Sequence, residues 1–202
     1  LINEFVQRDP AEGANPSQRT EVRLAYDDDA LYVAVHAFDT DPSKVVGILT
    51  RRDQRSPSDW VKIIIDSYND KRSAYEFAVN PVGVKTDRYY FNDGNGDDSW
   101  DAVWDVEVVK DANGWSAEFR IPFSQLRFNK ADRQSWGLQL TRYVADKAER
   151  LQWVLIPVSA APITVRMGTY DIERQAPAGS FIAYCSDPFQ YSHGSFSAYD
   201  SR

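Results

Sequence analysis

Tryptophan residues are the first side chains of this sequence whose number and positions indicate a binding chemistry. Six occur among the 202 residues. Trp100 follows the hydrophilic run 92–99, and Trp104 lies where a strand is expected to begin. An aromatic ring can stack on the apolar C–H face of a sugar while neighbouring polar groups bind its hydroxyls. Both residues are therefore candidate ligand platforms, and a position in the core is the alternative for each.

Trp60 and Tyr90 are further aromatic candidates for ligand contact. Trp60 shares a strand face with Lys62 and Asp66, so the core and the rim of a site fit its pattern equally well. Tyr89 and Tyr90 are consecutive in a strand and point to opposite faces, so one of them is expected to be exposed. The remaining tryptophans alternate with polar residues and are assigned to the core: Trp115, Trp136 and Trp153.

Arg51, Arg52 and Asp59 precede the strand that begins at Trp60. A guanidinium group donates a planar fork of hydrogen bonds that suits vicinal hydroxyls as well as a carboxylate. These three side chains are candidate ligand contacts, and a surface ion pair is the more ordinary interpretation.

An acidic, glycine-containing loop suggests a metal site. Asp93, Asn95, Asp97 and Asp98 supply oxygen atoms within six residues, and calcium prefers a cluster of such oxygens. Their spacing is not that of an EF-hand, because Asp98 stands where an EF-hand requires glycine. A calcium ion held by another loop geometry is expected here, and turns capped by their own Asp side chains are the alternative.

Composition argues against several other classes of function. The net charge is −7, whereas binding to a nucleic acid requires clustered Lys and Arg. The chain contains two histidines, His36 and His193, and one cysteine, Cys185, which are few residues from which to build a catalytic triad or a histidine-rich zinc site. No apolar run is long enough for a membrane-spanning helix. We therefore predict that the chain is not an enzyme, although a pair of carboxylates, as in glycosidases, is an open alternative.

The elements that would position these residues are short strands. Polar and apolar residues alternate over 20–26, as in a half-buried strand, and residues 31–38 form a nearly continuous apolar run. The segment 111–114 contains an Asn-Gly turn between two alternating segments, which predicts a hairpin. Similar patterns indicate about 8–10 strands without a long helical stretch. We predict an all-β fold, a jelly-roll-like antiparallel β-sandwich, with a closed barrel as the alternative.

One domain is expected to occupy most of the chain. Strand patterns continue to about residue 157, whereas the last part of the sequence is rich in Ser, Ala, Tyr and Pro and has weak periodicity. We therefore assign residues 1–172 to the β-sandwich and residues 173–202 to an irregular C-terminal extension or linker.

Long blocks of sequence resemble the family 9 carbohydrate-binding modules. They occur in the order TEVRLAYDDDALYVAVHAFDTDP, RRDQRSPSDWVKIIIDSYNDKRSAYEFAVNPVGVKTDRYYFND, DDSWDAVWDVEVVKDANGWSAEFRIPFSQLRF and WGLQLTR. The resemblance covers residues 4–157. Within the family, it is to the version at the N-terminus of large bacterial surface proteins that continue into an uncharacterised β domain. The usual opening strand, with an acidic residue before a Trp, is missing ahead of Leu1.

The resemblance implies a β-sandwich that binds a poly- or oligosaccharide without cleaving it. In such modules two Trp side chains clamp a sugar, polar residues bind its hydroxyls, and Ca²⁺ braces the loops. It also implies a secreted protein or one at the bacterial cell surface or periplasm, associated with the outer membrane and joined to the rest of a larger surface protein. The alternative function is a structural or interaction domain of such a protein with no free sugar ligand.

Overall fold

A computed structural model describes the backbone and side chains of residues 1–92, 94–131 and 133–157. It also describes the backbone of three later strands, at residues 168–174, 181–187 and 190–197. No described segment forms an apolar helix of the length that a membrane span requires.

The described chain consists of short antiparallel strands joined by turns. Three 3-10 turns, at Pro42–Lys44, Phe123–Gln125 and Ala145–Lys147, are the helical elements of the described residues. The predicted all-β class is confirmed, with more strands than the sequence indicates. The strands are β1 (Val6–Asp9), β2 (Thr20–Tyr26), β3 (Ala30–Phe38), β4 (Trp60–Asp66), β5 (Ala74–Val79), β6 (Lys85–Phe91), β7 (Asn95–Asp97), β8 (Asp105–Asp111), β9 (Gly114–Pro122), β10 (Arg133–Val144), β11 (Glu149–Gln152), β12 (Gly168–Arg174), β13 (Phe181–Asp187) and β14 (Gln190–Ser197).

Two antiparallel sheets form the predicted sandwich. The smaller sheet has the order β2-β3-β9-β8. The larger one runs β14-β13-β12-β10-β4-β5-β6-β7, and β11 extends it from β10 to β1. Short strands such as these bury one face by packing two sheets together, because a single sheet leaves both faces in water.

The core lies between the sheets and contains the apolar residues that alternate along each strand. On β4, Ile63 and Ile65 belong to it, and on β5 so does Phe77. The intervening residues of β4, β5 and β6 point away from the smaller sheet, since successive side chains of a strand face opposite sides. We call this second side of the larger sheet the outer face.

The hairpin predicted at residues 111–114 joins β8 to β9 and requires its glycine. Gly114 has a φ of +141°, a conformation that L side chains rarely adopt. A Cβ atom there would lie 2.2 Å from the carbonyl oxygen of Ala37 in β3. The glycine thus permits both the turn and the close approach of β3 to β9.

The C-terminal part of the chain differs from the expected irregular extension. The strands β13 and β14 lie within residues 173–202, and β12 joins them to β10 by antiparallel pairing. The periodicity of residues 180–185 indicated at most one strand in this segment, because the pairing that joins it to β10 depends on partners distant in sequence. The division of the chain at residue 172 stays a prediction.

Candidate functional site

Five charged or polar side chains come together around the middle of the outer face. Lys62 lies on β4, Glu76 on β5, and Arg88 and Tyr90 lie on β6, while Arg55 reaches the same place from the segment before β4. Glu76 is directly opposite Arg88 in the pairing of β5 with β6. We call these residues the outer-face cluster.

A buried carboxylate lies at the centre of the outer-face cluster. The Glu76 side chain is 1% exposed, and its Oε1 accepts hydrogen bonds from Arg55 Nη2 at 2.7 Å and Lys62 Nζ at 3.1 Å. The Tyr90 hydroxyl donates to the other oxygen at 2.7 Å. Burial of a charge is unfavourable unless it is paired and hydrogen-bonded, and Glu76 meets both conditions.

The titration of the outer-face cluster favours an ionised Glu76. Burial by itself would raise the pKa of Glu76, but the charges of Lys62 and Arg55 and the Tyr90 hydrogen bond hold that pKa below its usual value. Burial raises the pKa of Tyr90, and the neighbouring carboxylate raises it further, so the phenol remains a donor. Burial lowers the pKa of Lys62, and the negative charge of Glu76 opposes that shift.

The outer-face cluster reaches solvent through its arginines. Arg88 forms a two-pronged ion pair with Asp98, including Nη2 to Oδ2 at 2.8 Å, and its guanidinium lies 5.8 Å from the centre of the Tyr90 ring. The Arg88 side chain is 25% exposed and that of Arg55 is 43% exposed. A ligand could therefore reach both guanidinium groups while Glu76 remains below them.

Aromatic side chains border the cluster on the same face. Trp60 is 6% exposed and packs with Ala78, Val84 and the partly buried Tyr143. The indole N–H of Trp60 donates to the carbonyl of Ser56 at 3.0 Å. The prediction of Trp60 as a platform is therefore wrong for this structure, because its ring is enclosed, and Tyr143 presents the more accessible ring.

Arg52 lies in a second group at the rim of the sandwich, which we call the rim cluster. Its Nη2 is 2.8 Å from Asp87 Oδ1 and 2.6 Å from Asp101 Oδ1, and its Nε is 3.5 Å from Asp53 Oδ2. The Asp87 carboxylate also accepts the backbone N–H of Ala102 at 2.6 Å. Burial raises the pKa of Asp53. Arg52 thus connects the loop after β7 to β6. Its guanidinium forms the ion pairs that were the alternative prediction, so it is not a free ligand group.

The candidate tryptophans do not meet on one surface. Trp100 is partly buried, with its ring 5.0 Å from Tyr75 and 5.7 Å from Phe77, and it precedes Asp101 of the rim cluster. Trp104 is 1% exposed and lies against Phe77 and Phe119 in the core. The prediction of Trp104 as a platform is wrong, because no face of its ring is open to a ligand.

The two remaining predicted ligand contacts, Asp59 and Arg51, differ in burial. Asp59 is 1% exposed, and its Oδ1 accepts the backbone N–H of Ala145 at 2.9 Å. Burial raises the pKa of Asp59, and the attraction of the buried Arg142 opposes the rise. The prediction that Asp59 contacts a ligand is therefore wrong, since it is an internal residue. Arg51 is exposed.

Two carboxylates of the acidic loop, those of Asp97 and Asp98, already have partners within the protein. Asp97 Oδ1 accepts hydrogen bonds from the N–H and hydroxyl of Ser99 at 2.9 and 2.6 Å, which is a capped turn. Asp98 is paired with Arg88, and Asn95 is exposed in β7. Asp93 lies outside the described residues. The calcium prediction is untested, and these carboxylates already have other partners.

Carboxylates converge instead in the rim cluster. Oxygen atoms of Asp53, Asp87 and Asp101 lie within 4.8 Å of one another. Arg52 is bonded to two of these carboxylates and lies beside the third, so a guanidinium already supplies the positive charge that a metal ion would bring.

We expect calcium to have little effect on the folded chain. Because Arg88, Ser99 and Arg52 engage the acidic groups, the melting temperature in 1 mM EDTA should equal that in about 10 mM CaCl₂ within about 1 °C. Differential scanning calorimetry measures this, with MgCl₂ as the ionic-strength control. A rise of several degrees that is specific to calcium, and that Asp97→Asn abolishes, would instead establish the loop site.

The sequence did not predict the centre of the outer-face cluster. Tyr90 was a candidate ligand contact, whereas Arg55, Lys62, Glu76 and Arg88 were not. A signal was present, because Lys62 interrupts the apolar run 60–65 of β4 and Glu76 is the single charged residue of β5. A charge at such a position is rarely fully buried without a partner.

The fold and this site together define a class of protein. An antiparallel two-sheet sandwich carries charged donors, a buried acceptor and a neighbouring aromatic ring on one sheet face, which is the arrangement of a β-sandwich binding domain. The model of the carbohydrate family 9 binding domain-like family matches residues 3–160, and the chain belongs to this family. The resemblance to this family over residues 4–157 is thereby confirmed. The family is one of binding domains, in agreement with the prediction that the chain is not an enzyme.

Solved structures show the same fold at low sequence identity. A family 9 carbohydrate-binding module from Caldicellulosiruptor kristjanssonii in complex with cellotriose is 18% identical, with a TM-score of 0.59 over 86% of this chain and 84% of that chain. A structure of a family 9 module from the same organism with glucose is 17% identical, with a TM-score of 0.56 over 87% and 86%. No curated protein sequence matches the chain significantly.

Proposed function

We propose that the outer-face cluster is a carbohydrate-binding site and that the domain binds sugar without cleaving it. The observation that carries this proposal is the buried Glu76 carboxylate, held by Arg55, Lys62 and Tyr90 on a sheet face that is not the sandwich core. Groups of this kind collect at functional sites, because their desolvation is unfavourable for folding alone. The complexes of similar modules with cellotriose and glucose support carbohydrate binding as the function.

Each group has a distinct part in this proposal. The guanidinium groups of Arg55 and Arg88 donate charge-assisted hydrogen bonds to sugar hydroxyls, and Lys62 donates from the floor of the site. The ring of Tyr143 offers an apolar surface to the C–H face of a sugar. Glu76 fixes Arg55 and Lys62 in place, and its accepted hydrogen bonds position them before the ligand arrives.

Titration calorimetry with a panel of neutral and charged oligosaccharides tests the site. Arg88→Gln is expected to weaken binding of the best ligand about tenfold, since it removes a charge-assisted donor. The Arg88 ion pair with Asp98 is exposed enough for the fold to survive the change. Arg23→Gln is the matched control, because Arg23 is an exposed arginine of the smaller sheet and should leave affinity unchanged.

Trp100→Ala tests whether the sugar binds at the outer face or at the rim. Trp100, Arg51 and Arg52 are the sequence-predicted contacts that lie at the rim, and they form the second possible location of the same function. If the outer-face cluster is the site, Trp100→Ala leaves affinity unchanged. A loss of affinity in Trp100→Ala, with none in Arg88→Gln, would move the site to the rim. Absence of binding to every member of the panel, in buffer with calcium, would refute carbohydrate binding.

We also propose that the domain is exported and belongs to a larger bacterial surface protein, in the periplasm or at the cell surface and associated with the outer membrane. The sequence resemblance supports this location. Detection of the native protein in fractionated cells tests it, and confinement to the cytoplasmic fraction would contradict it.

A structural or interaction domain is the alternative function, and one observation favours it. Ile48, Leu49 and Val82 are apolar and exposed, by 40, 79 and 39%. The backbone carbonyl of Ile48 accepts a hydrogen bond from Asn80, which brings the two loops together. If this surface packs against the rest of a larger protein, Leu49→Ser should weaken that association and leave sugar binding unaltered.

A further inference from the structure

We propose that the outer-face cluster selects saccharides that carry a negatively charged substituent, either a carboxylate or a sulfate ester. The inference rests on the proposed function and specifies the class of sugar. Three features of the cluster lead to it: its local charge, the exposure of its cations relative to Glu76, and the unused donors of the partly buried Lys62 ammonium.

The local charge of the outer-face cluster is opposite to that of the chain. The chain carries a net charge of −7. The cluster and its ion-pair partner contain three cations, Arg55, Lys62 and Arg88, against two carboxylates, Glu76 and Asp98. Within the cluster and its partner, one positive charge is therefore in excess, and a neutral sugar would not require it.

The three cations of the cluster lie closer to solvent than the Glu76 carboxylate between them. Glu76 forms the floor, with its side chain 1% exposed, whereas Arg55, Lys62 and Arg88 are 43, 22 and 25% exposed. Asp98 is 68% exposed and lies beside Arg88 at the edge. Partial burial reduces screening by water and salt, so an anionic group between the cations would interact more strongly than at an open surface.

The Lys62 ammonium has N–H donors without an acceptor among the described residues. An ammonium group carries three N–H donors, and among the described residues Lys62 Nζ has one hydrogen-bond acceptor, Glu76 Oε1. A partly buried ammonium gains most from an acceptor that is itself negatively charged, because the attraction between opposite charges adds to the hydrogen bond. A carboxylate or sulfate oxygen supplies that acceptor and compensates the excess charge.

The test compares sugars that have the same rings and differ in one kind of charged substituent. Trigalacturonate and its fully methyl-esterified form have the same rings, and a sulfated galactan oligosaccharide is paired with its desulfated form. We expect the charged member of at least one pair to bind about tenfold more tightly at pH 7. The pair that shows the preference distinguishes a carboxylate from a sulfate ester.

Variants locate the preference in the outer-face cluster. Lys62→Met keeps the apolar stem of the side chain and is expected to reduce the charged-to-neutral affinity ratio to near one. Arg55→Gln is expected to reduce it several-fold and carries the test if Lys62→Met fails to fold. Asp98→Asn frees Arg88 and should increase the ratio, whereas Arg23→Gln, on the other sheet, should not change it.

Failure of the inference differs from failure of the proposed function. Equal affinity for both members of each pair, with binding to sugar retained, overturns the selectivity and leaves carbohydrate binding intact. A tenfold preference that persists in both Lys62→Met and Arg55→Gln overturns its assignment to this cluster. Loss of all binding across charged and neutral sugars overturns both proposals.

Discussion

Glu76→Gln is expected to lower the free energy of unfolding by about 3 kcal/mol at pH 7. The substitution preserves the size of a side chain that is 1% exposed but leaves Lys62 beside an uncharged partner. Removal of one member of a buried ion pair costs about 3–5 kcal/mol, because the remaining charge is desolvated without compensation. Urea denaturation followed by tryptophan fluorescence measures the change.

The effect of Glu76→Gln should depend on pH in a defined direction. The folded-state pKa of Glu76 is lowered, so the folded protein binds fewer protons than the unfolded chain. Its contribution to stability is therefore complete above the unfolded pKa of about 4.3 and is lost as pH falls through the folded value. The difference between wild type and Glu76→Gln should be largest near neutrality and shrink below about pH 4.

Two further variants show whether pairing is the cause. Glu107→Gln removes an exposed carboxylate of β8 and should alter stability by no more than about 0.5 kcal/mol. Adding Lys62→Met to Glu76→Gln should recover part of the lost stability, because the uncompensated ammonium is gone. A loss in Glu76→Gln that is below about 1 kcal/mol and independent of pH would contradict the buried ion pair.

Trp104→Ala should be the most damaging of the tryptophan substitutions in the segment 98–104. Trp104 is 1% exposed and contacts Phe77 and Phe119, so truncation leaves a large cavity between the sheets. Removal of a buried Trp side chain costs about 3–5 kcal/mol. Chemical denaturation should show this loss, while oligosaccharide affinity of the folded fraction stays as in the wild type.

Trp104→Phe and Trp100→Ala are the matched controls. The Trp104 indole N–H is buried and has no hydrogen-bond partner in the described structure, so Phe removes an unsatisfied donor and should cost much less than Ala. Trp100 is only partly buried, and its truncation should also cost less. If Trp104→Ala were as stable as wild type and lost sugar affinity, Trp104 would be a ligand platform after all.

The sequence predicts the local elements well. Alternation of polar and apolar residues located β2, β5, β9 and β10, because the pleat of a strand imposes a period of two on any half-buried segment. The Asn-Gly pair located the hairpin at Gly114 for a similarly local reason, since the turn requires a positive φ. The shortage of histidine and cysteine likewise favours binding over catalysis, because triads and zinc sites are built from those side chains.

Tertiary structure alone decided which of these residues share a site. Trp100 and Trp104 have similar sequence surroundings, yet one reaches the rim and the other lies between the sheets. Lys62 and Glu76 meet because β4 pairs with β5 in one register, and a shift of either strand by one residue would turn its charged side chain toward the core.

That register depends on long-range pairing and on packing against the smaller sheet, and neither leaves a signal in a single strand. The sequence therefore determined by itself that this is a β-sandwich of a binding family, with more aromatic and charged residues than its core requires. The tertiary structure decided that two of the three tryptophans chosen as ligand contacts, Trp60 and Trp104, are buried side chains that stabilise the fold. It also decided that Arg55, Lys62, Glu76 and Arg88 form the candidate site.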